Sequence, residues 1–199
     1  MLNFLKNTKG EILNLFFKDP DKEYYLREIA RNLGKEPGHF QAALNTLVKE
    51  GILKDERKGN LRFFRLNKDH PLYEEIKKII SKTIGIEAKI KALVDKFKKV
   101  EYAFIFGSIA RGKEYGESDI DLMLIGQVDQ NDLVEKANEL EGELKREINY
   151  QIYSGREAAD KLKEGNDFFV RIFNEPKIIL KGNLNEFTEI IKRGKNRKD

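Results

Sequence analysis

The sequence predicts an α+β protein with an N-terminal helical domain ending in a hairpin, a helical linker, and a C-terminal domain of strands and helices. Three observations carry this. Residues 1–70 read as three short helices and then a hairpin, residues 71–99 hold one apolar seam at helical spacing, and later residues alternate strand-like runs with helices. The charge divides in the same way. Residues 1–70 hold 14 Lys and Arg against 10 Asp and Glu, whereas residues 101–160 hold 6 against 14. A basic piece joined to an acidic, cation-seeking piece argues for two domains with different partners. The expected boundaries are 1–70 for the first domain, 71–99 for the linker, 100–182 for the second domain and 183–199 for a C-terminal helix and basic tail.

Asn7 or Thr8 can cap a first helix whose apolar positions Ile12, Leu13, Phe16 and Phe17 repeat at helical spacing. Asp19-Pro20-Asp21 ends it. Tyr24 to Leu33 reads as a second helix closed by Gly34. His39 to Glu50 reads as a third, with Phe40, Ala43, Leu44, Leu47 and Val48 inward and His39, Gln41, Asn45 and Lys49 pointing away. Ile52 to Lys54 and Leu61 to Leu66 are strand-like, and Lys58-Gly59-Asn60 between them marks a turn. Three helices and a basic hairpin resemble a winged helix-turn-helix. The runs Leu26 to Arg31 and Leu47 to Leu53 are similar to those of bacterial and archaeal regulators of that type. The resemblance implies DNA as a partner, with the third helix in the major groove and the hairpin beside the backbone. His39, Gln41, Asn45 and Lys49 are then the helix contacts, and Arg57, Lys58 and Arg62 the hairpin contacts. Lys54, Arg65 and Lys68 add cations of the kind phosphates attract. A plain protein-interaction module is the other use of such a domain.

From Pro71, positions 72, 76, 79, 83, 86, 90, 93 and 97 read Leu, Ile, Ile, Thr, Ile, Ile, Leu and Phe. Only Thr83 interrupts this 3.5-residue period. Two readings stay open: a dimerisation helix giving a homodimer, or a connecting helix packed on its own domain. Gly85, costing about 1 kcal/mol in a helix interior, leaves room for two shorter helices.

Tyr102 to Phe106 is an aromatic and β-branched run bounded by glycine, a buried strand. Gly107-Ser108 turns the chain into what reads as one helical turn, Ile109-Ala110-Arg111, and Gly112 and Gly116 punctuate the return. A glycine turn feeding a helix start aims backbone N–H groups at one point and suits a phosphate, with the Ser108 hydroxyl as a further donor. Asp119 to Ile125 reads as a second strand. Residues two apart share a strand face, so Asp119 and Asp121 project together. Paired carboxylates on an apolar strand are costly unless they face solvent or hold a cation, and hard oxygen ligands of this kind suit Mg²⁺. The bland alternative is a glycine-rich hairpin with solvent-facing acids.

Gly107-Ser108-x-Ala110-Arg111-Gly112 followed by Ser118-Asp119-x-Asp121-Leu122 resembles the signature of the DNA polymerase β-type nucleotidyltransferase superfamily, closest to its minimal, stand-alone branch. The resemblance covers about the second half of the chain. It implies a nucleotidyltransferase fold with a mixed sheet and helices, binding of ATP or another nucleoside triphosphate, and two Mg²⁺ ions held by the acids. It further implies transfer of a nucleotidyl group onto a hydroxyl with the help of a third carboxylate from a later strand. Catalytic and metal-holding roles fall on Asp119 and Asp121, and nucleotide contacts on Gly107, Ser108, Arg111, Gly112 and Ser118.

Further along, Asn131 is expected to cap a helix running to about Arg146, and Ile148 to Tyr153 alternates as a third strand. Short helices at Arg156 to Lys163 and Asp167 to Phe173 precede a strand at Lys177 to Leu180. On the third strand the position matching the family's third acid is Asn149, with Glu147 as the nearest substitute carboxylate. An amide can ligate a metal through oxygen but cannot accept the proton of an attacking hydroxyl.

The composition excludes several classes. With no cysteine there is neither a disulfide nor a thiolate metal site, and His39 and His70 lie too far apart in sequence to suggest zinc. No apolar run is long enough to span a bilayer, and Met1 to Phe17 is broken by Lys6, Lys9 and Glu11, so a cytoplasmic protein without membrane contact is expected. Two functions remain. The first is a DNA-binding transcriptional regulator whose nucleotidyltransferase-type domain binds nucleoside triphosphate and Mg²⁺ with weak transfer or none. The second is an active enzyme modifying a protein or small-molecule hydroxyl, as antitoxin-type minimal nucleotidyltransferases do.

Overall fold

The computed structural model describes residues 7–112 and 118–195, with side chains as far as Glu189. Gly116 of the expected turn and residues 196–199 of the expected basic tail lie outside the described residues. The chain divides into two compact units, Met1–Ala88 and Lys89–Asp199.

In the first unit, α1 (Thr8–Lys18) begins where Asn7 Oδ1 accepts the Gly10 N–H at 3.2 Å. Its apolar residues Ile12, Leu13, Phe16 and Phe17 are buried. The reading of Tyr24 to Leu33 as one helix is corrected. Tyr24–Tyr25 is a short strand, β1, and α2 (Leu26–Leu33) follows it. Aromatic residues fit a pleated surface, and here β1 pairs with β3 (Leu61–Leu66), Tyr24 opposite Phe64 and Tyr25 opposite Phe63. The Tyr24 ring meets Phe16 edge-on at 5.1 Å, and burial, reinforced by Asp19 and Glu28, pushes its phenol up to about 12. Gly34 ends α2 in the left-handed region at φ 65°. Then come α3 (Gly38–Lys49) and β2 (Leu53–Lys58), which pairs antiparallel with β3 so that Lys58 faces Leu61 across the two-residue Gly59-Asn60 turn. The sheet order is β1-β3-β2.

Residues 71–99 form two helices, α4 (Tyr73–Thr83) and α5 (Ile86–Lys96). The break lies at Gly85, whose N–H donates back to the Ile80 carbonyl at 2.8 Å. A Cβ on Gly85 would fall 2.8 Å from the Ser81 Cα, so no side chain fits there. The seam therefore does not run along one continuous helix. Ile90, Leu93 and Phe97 are buried, while Leu72 and Ile79 are 55% and 41% exposed.

The second unit holds a mixed four-stranded sheet in the order β6-β5-β4-β7. β4 (Val100–Phe106) runs antiparallel to both β5 (Ile120–Gly126) and β7 (Ile178–Lys181), and β5 runs parallel to β6 (Ile148–Tyr153). α7 (Gln130–Leu144) makes the crossover from β5 to β6 that parallel pairing requires. α8 (Gly155–Lys163), α9 (Asp167–Asn174) and α10 (Leu184–Lys195) complete the unit. On one sheet face Phe104, Met123 and Ile125 pack with Ala158 of α8, Phe169 and Ile172 of α9, and Leu184 and Phe187 of α10. Among the described residues no helix is long and apolar enough to cross a membrane.

The cap of α7 differs from the sequence reading. Asp129, not Asn131, is the N-cap, and its carboxylate accepts the N–H groups of Asn131 and Asp132 at 3.0 and 3.2 Å. Asp129 stands outside the helix with extended backbone, where its short side chain reaches the unpaired donors of the first turn. Asp129→Ala is therefore expected to lower unfolding free energy by about 1 kcal/mol. Asn131→Ala should leave it within a few tenths, as urea titration followed by circular dichroism would measure.

Candidate active site

β4 delivers the chain from Phe106 to Gly107, the first residue of the single helical turn α6 (Gly107–Ala110). Gly107 takes φ +73°, and a Cβ there would lie 2.1 Å from Asp121 Oδ2. The carboxylate occupies the space a side chain would need. The turn closes with the Arg111 N–H on the Gly107 carbonyl at 3.2 Å and the Gly112 N–H on the Ile109 carbonyl at 3.1 Å. It starts two residues earlier than the sequence suggests, because glycine accepts the left-handed backbone that the strand exit requires.

The strand register aligns the rest. Phe106 of β4 faces Asp121 of β5, and Asp121 faces Asn149 of β6, so the three lie in one row across the sheet. Asp119 stands one residue before β5. Asn149 Nδ2 donates to Asp119 Oδ2 at 3.3 Å. Burial raises the pKa of the Asp121 carboxyl above its ordinary value, the Asp119 charge raises it further, and the Arg111 guanidinium opposes both. Among the described residues no third His, Cys, Asp or Glu joins this pair in a metal-holding group. Glu147, the substitute acid considered from sequence, is exposed and shares an open hollow of about 470 Å³ with Asp119, Glu141, Lys145 and Arg146. Of the other expected nucleotide contacts, Ser108 is half-buried with its hydroxyl unpaired among the described residues, Gly112 is exposed, and Ser118 is half-buried. Arg111 donates through Nη2 to Glu175 Oε2 at 2.9 Å.

Two features escaped the sequence reading. Arg146 is 7% exposed and donates to the Ser118 carbonyl at 3.3 Å, just before Asp119. Lys145, the C-cap of α7, stands at φ 55°, where glycine is the usual occupant. Nothing but their place before a strand could have pointed to either. A larger hollow of about 650 Å³ lies among α9, β7 and α10. No carboxylate among the described residues lines it, so it offers a divalent cation no hard anionic ligand.

In the first unit Gln41, Asn45 and Lys49 are exposed on α3 at successive steps of four, one helical stripe. His39 turns toward Thr8, its Nε2 lying 3.3 Å from the hydroxyl. The hairpin cations are mostly paired. Arg62 donates to Asp55 Oδ2 and Asn45 Oδ1, both at 2.6 Å, and lies over the Phe64 ring at 4.9 Å. Lys58 pairs with Glu23, and Lys54 with Asp69 at 2.6 Å. Arg57 and Lys49 have no side-chain partner among the described residues.

Residues 88–183 match the protein family described as Polymerase beta, Nucleotidyltransferase. This segment is a nucleotidyltransferase domain of that family. A comparison with curated proteins gave no match. Among solved structures, the chain is similar to a toxin–antitoxin structure with AMP-PNP, at 18% identity and TM-score 0.36, covering 56% of this chain and 86% of that one. It is also similar to a tri-AMPylated Shewanella oneidensis HEPN toxin in complex with MNT antitoxin, at 21% identity and TM-score 0.32, covering 53% and 76%. A possible transcriptional regulator from Methanosarcina mazei Go1 matches at 13% identity and TM-score 0.32, covering 47% and 82%. Scores this low transfer nothing from those proteins.

Within the nucleotidyltransferase domain, the paired carboxylates suit a divalent cation, whose charge would relieve the repulsion between Asp119 and Asp121. Because the folded pKa of Asp121 is raised, its ionisation costs stability above the ordinary 3.8, and the cost is absent below that pH. Mg²⁺ should therefore raise Tm at pH 7.5, with an increment that shrinks as pH falls through the raised Asp121 pKa. Without metal, Asp121→Asn should raise Tm at pH 7.5 but not near pH 3.5, and it should cancel the Mg²⁺ increment. Gly107→Ala should cost about 1–3 kcal/mol from the left-handed backbone and the displaced carboxylate. Thermal scans across pH measure all three.

Proposed function

We propose that this chain is a DNA-binding regulator whose nucleotidyltransferase domain binds a nucleoside triphosphate together with Mg²⁺ and transfers nucleotide slowly or not at all. The observation that carries this reading is Asn149. It stands beside Asp121 in the sheet and bonds to Asp119, at the position where the family resemblance calls for a third carboxylate. Its amide supplies no base for the proton of an attacking hydroxyl, whereas Asp119 and Asp121 keep the oxygens that would hold Mg²⁺. The backbone of Gly107 and Ser108 would receive phosphate, with Ser118, Gly112 and Arg111 around it. The bound Mg²⁺ would neutralise phosphate charge.

The first unit is read as a winged helix domain. The α2–α3 pair, the β2–β3 hairpin and the exposed stripe Gln41, Asn45 and Lys49 support that reading. Gln41 and Asn45 would read bases, and Lys49 and Arg57 would meet phosphates. Leu72 and Ile79, left exposed on α4, would serve pairing of two copies on a palindromic site in the cytoplasm. A second reading, active transfer onto a protein or small-molecule hydroxyl, draws on the intact Asp119–Asp121 pair and the family match.

Calorimetry with ATP and Mg²⁺ should detect binding to wild type and none to the Asp119→Asn, Asp121→Asn double variant. Labelled ATP should report little transfer by wild type. Asn149→Asp should raise any transfer, by as much as ~10²–10⁴-fold if only the base is missing. Brisk wild-type turnover that Glu147→Gln abolishes would establish the second reading instead. On DNA, Arg57→Gln should lower the slope of log K against log salt by about 0.9, while Asn45→Ala should shift sequence preference. A protein with no salt-dependent DNA affinity would make the first unit an interaction module.

A further inference from the structure

Arg111 follows α6 with its backbone fixed by the Gly107 carbonyl, but its long side chain needs another restraint to hold a direction. That restraint comes from far along the chain. Because Ile178 of β7 faces Ile105 of β4, the segment entering β7 lies beside the end of β4, where Gly107 begins. Glu175 is in that segment and accepts from Arg111 Nη2 at 2.9 Å. Its own backbone is held from several sides. Pro176 confines the preceding residue to extended backbone, and Glu175 has φ −78° and ψ 161°. The Glu175 N–H donates to the Arg171 carbonyl at 3.0 Å, and its carbonyl accepts from Lys177 Nζ at 2.8 Å. Lys177 Nζ also donates to the Phe173 carbonyl at 2.8 Å. The anchor is firm, and the ion pair is exposed: the side chains are 43% and 29% accessible. Exposed pairs add little stability. Arg111 is exposed, and its other guanidinium N–H groups carry no hydrogen bond among the described residues.

We propose that Glu175 is a positioning residue that holds the Arg111 guanidinium at the mouth of the Gly107–Ala110 turn, so that the anionic tail of a nucleoside triphosphate meets a cation already in place. This rests on the nucleotide-binding reading above. Pre-ordering one long side chain spares the ligand that ordering cost, and its loss is worth about twofold to tenfold in affinity.

The test combines three measurements on the full chain: Tm, calorimetry with ATP and Mg²⁺, and nitrogen-15 NMR of the arginine side chains. Glu175→Ala should leave Tm unchanged, weaken ATP about twofold to tenfold, and release the Arg111 guanidinium to rotate freely. Glu175→Gln should keep part of the affinity, and in an Arg111→Gln background Glu175→Ala should have no further effect. Free rotation of Arg111 in wild type, equal or tighter ATP binding by Glu175→Ala, or persistence of its effect in the Arg111→Gln background would each overturn the proposal. Wild type that takes no ATP brings down the nucleotide-binding reading and this inference with it. Wild type and Glu175→Ala that take ATP equally bring down the role of Glu175 alone.

Discussion

Gly107 and Asp121 share a space with room for one side chain. The strand exit needs a left-handed residue, and the Oδ2 of Asp121 lies where its Cβ would be. Both demands fall on glycine, and together they fix how closely the turn after β4 approaches the acid on β5. The rest of the site follows from that approach through strand register. Once Phe106 faces Asp121, the parallel partner places Asn149 on the other side, and the Asn149 amide reaches Asp119 just before β5.

A carboxylate on a central strand is an expense, because Ile120 and residues 122 to 125 are almost wholly buried. A nearby cation offsets part of it. Arg111 opposes the rise in the Asp121 pKa, and the buried Arg146 holds the Ser118 carbonyl at the entry to Asp119. The site is thus a charge balance struck between one strand and the ends of two others, with Lys145 held in an uncommon backbone conformation beside it.

The sequence was most legible where a residue type has one physical use. β6 runs from Ile148 to Tyr153 as its alternation predicts, Gly34 closes α2, and Asp121 falls on a strand, which starts at Ile120, one residue after Asp119. It was less legible where two residues could do the same job. Asp129 and Asn131 can both cap a helix, and only the three-dimensional turn decides between them. Tyr24 and Tyr25 continue the helical pattern of α2, yet a partner almost forty residues later draws them into a sheet. The seam from Leu72 to Phe97 is regular in sequence, but Gly85 splits it and its second half turns inward. The site itself was read from a short continuous motif, whereas Glu175 and Arg146 come from remote segments with no pattern of their own.

Charge counting alone also misses how charges pair. The hairpin reads as a run of cations, but Asp55 and Asp69 answer Arg62 and Lys54 at 2.6 Å, and Glu23 answers Lys58. A close pair of opposite charges is a dipole, and its field dies away faster with distance than that of a single charge. At physiological salt, screening acts over about 8 Å besides. These three pairs would therefore add little pull on an anion until it is almost in contact. Any anion that settled among these cations would have to displace their carboxylates first.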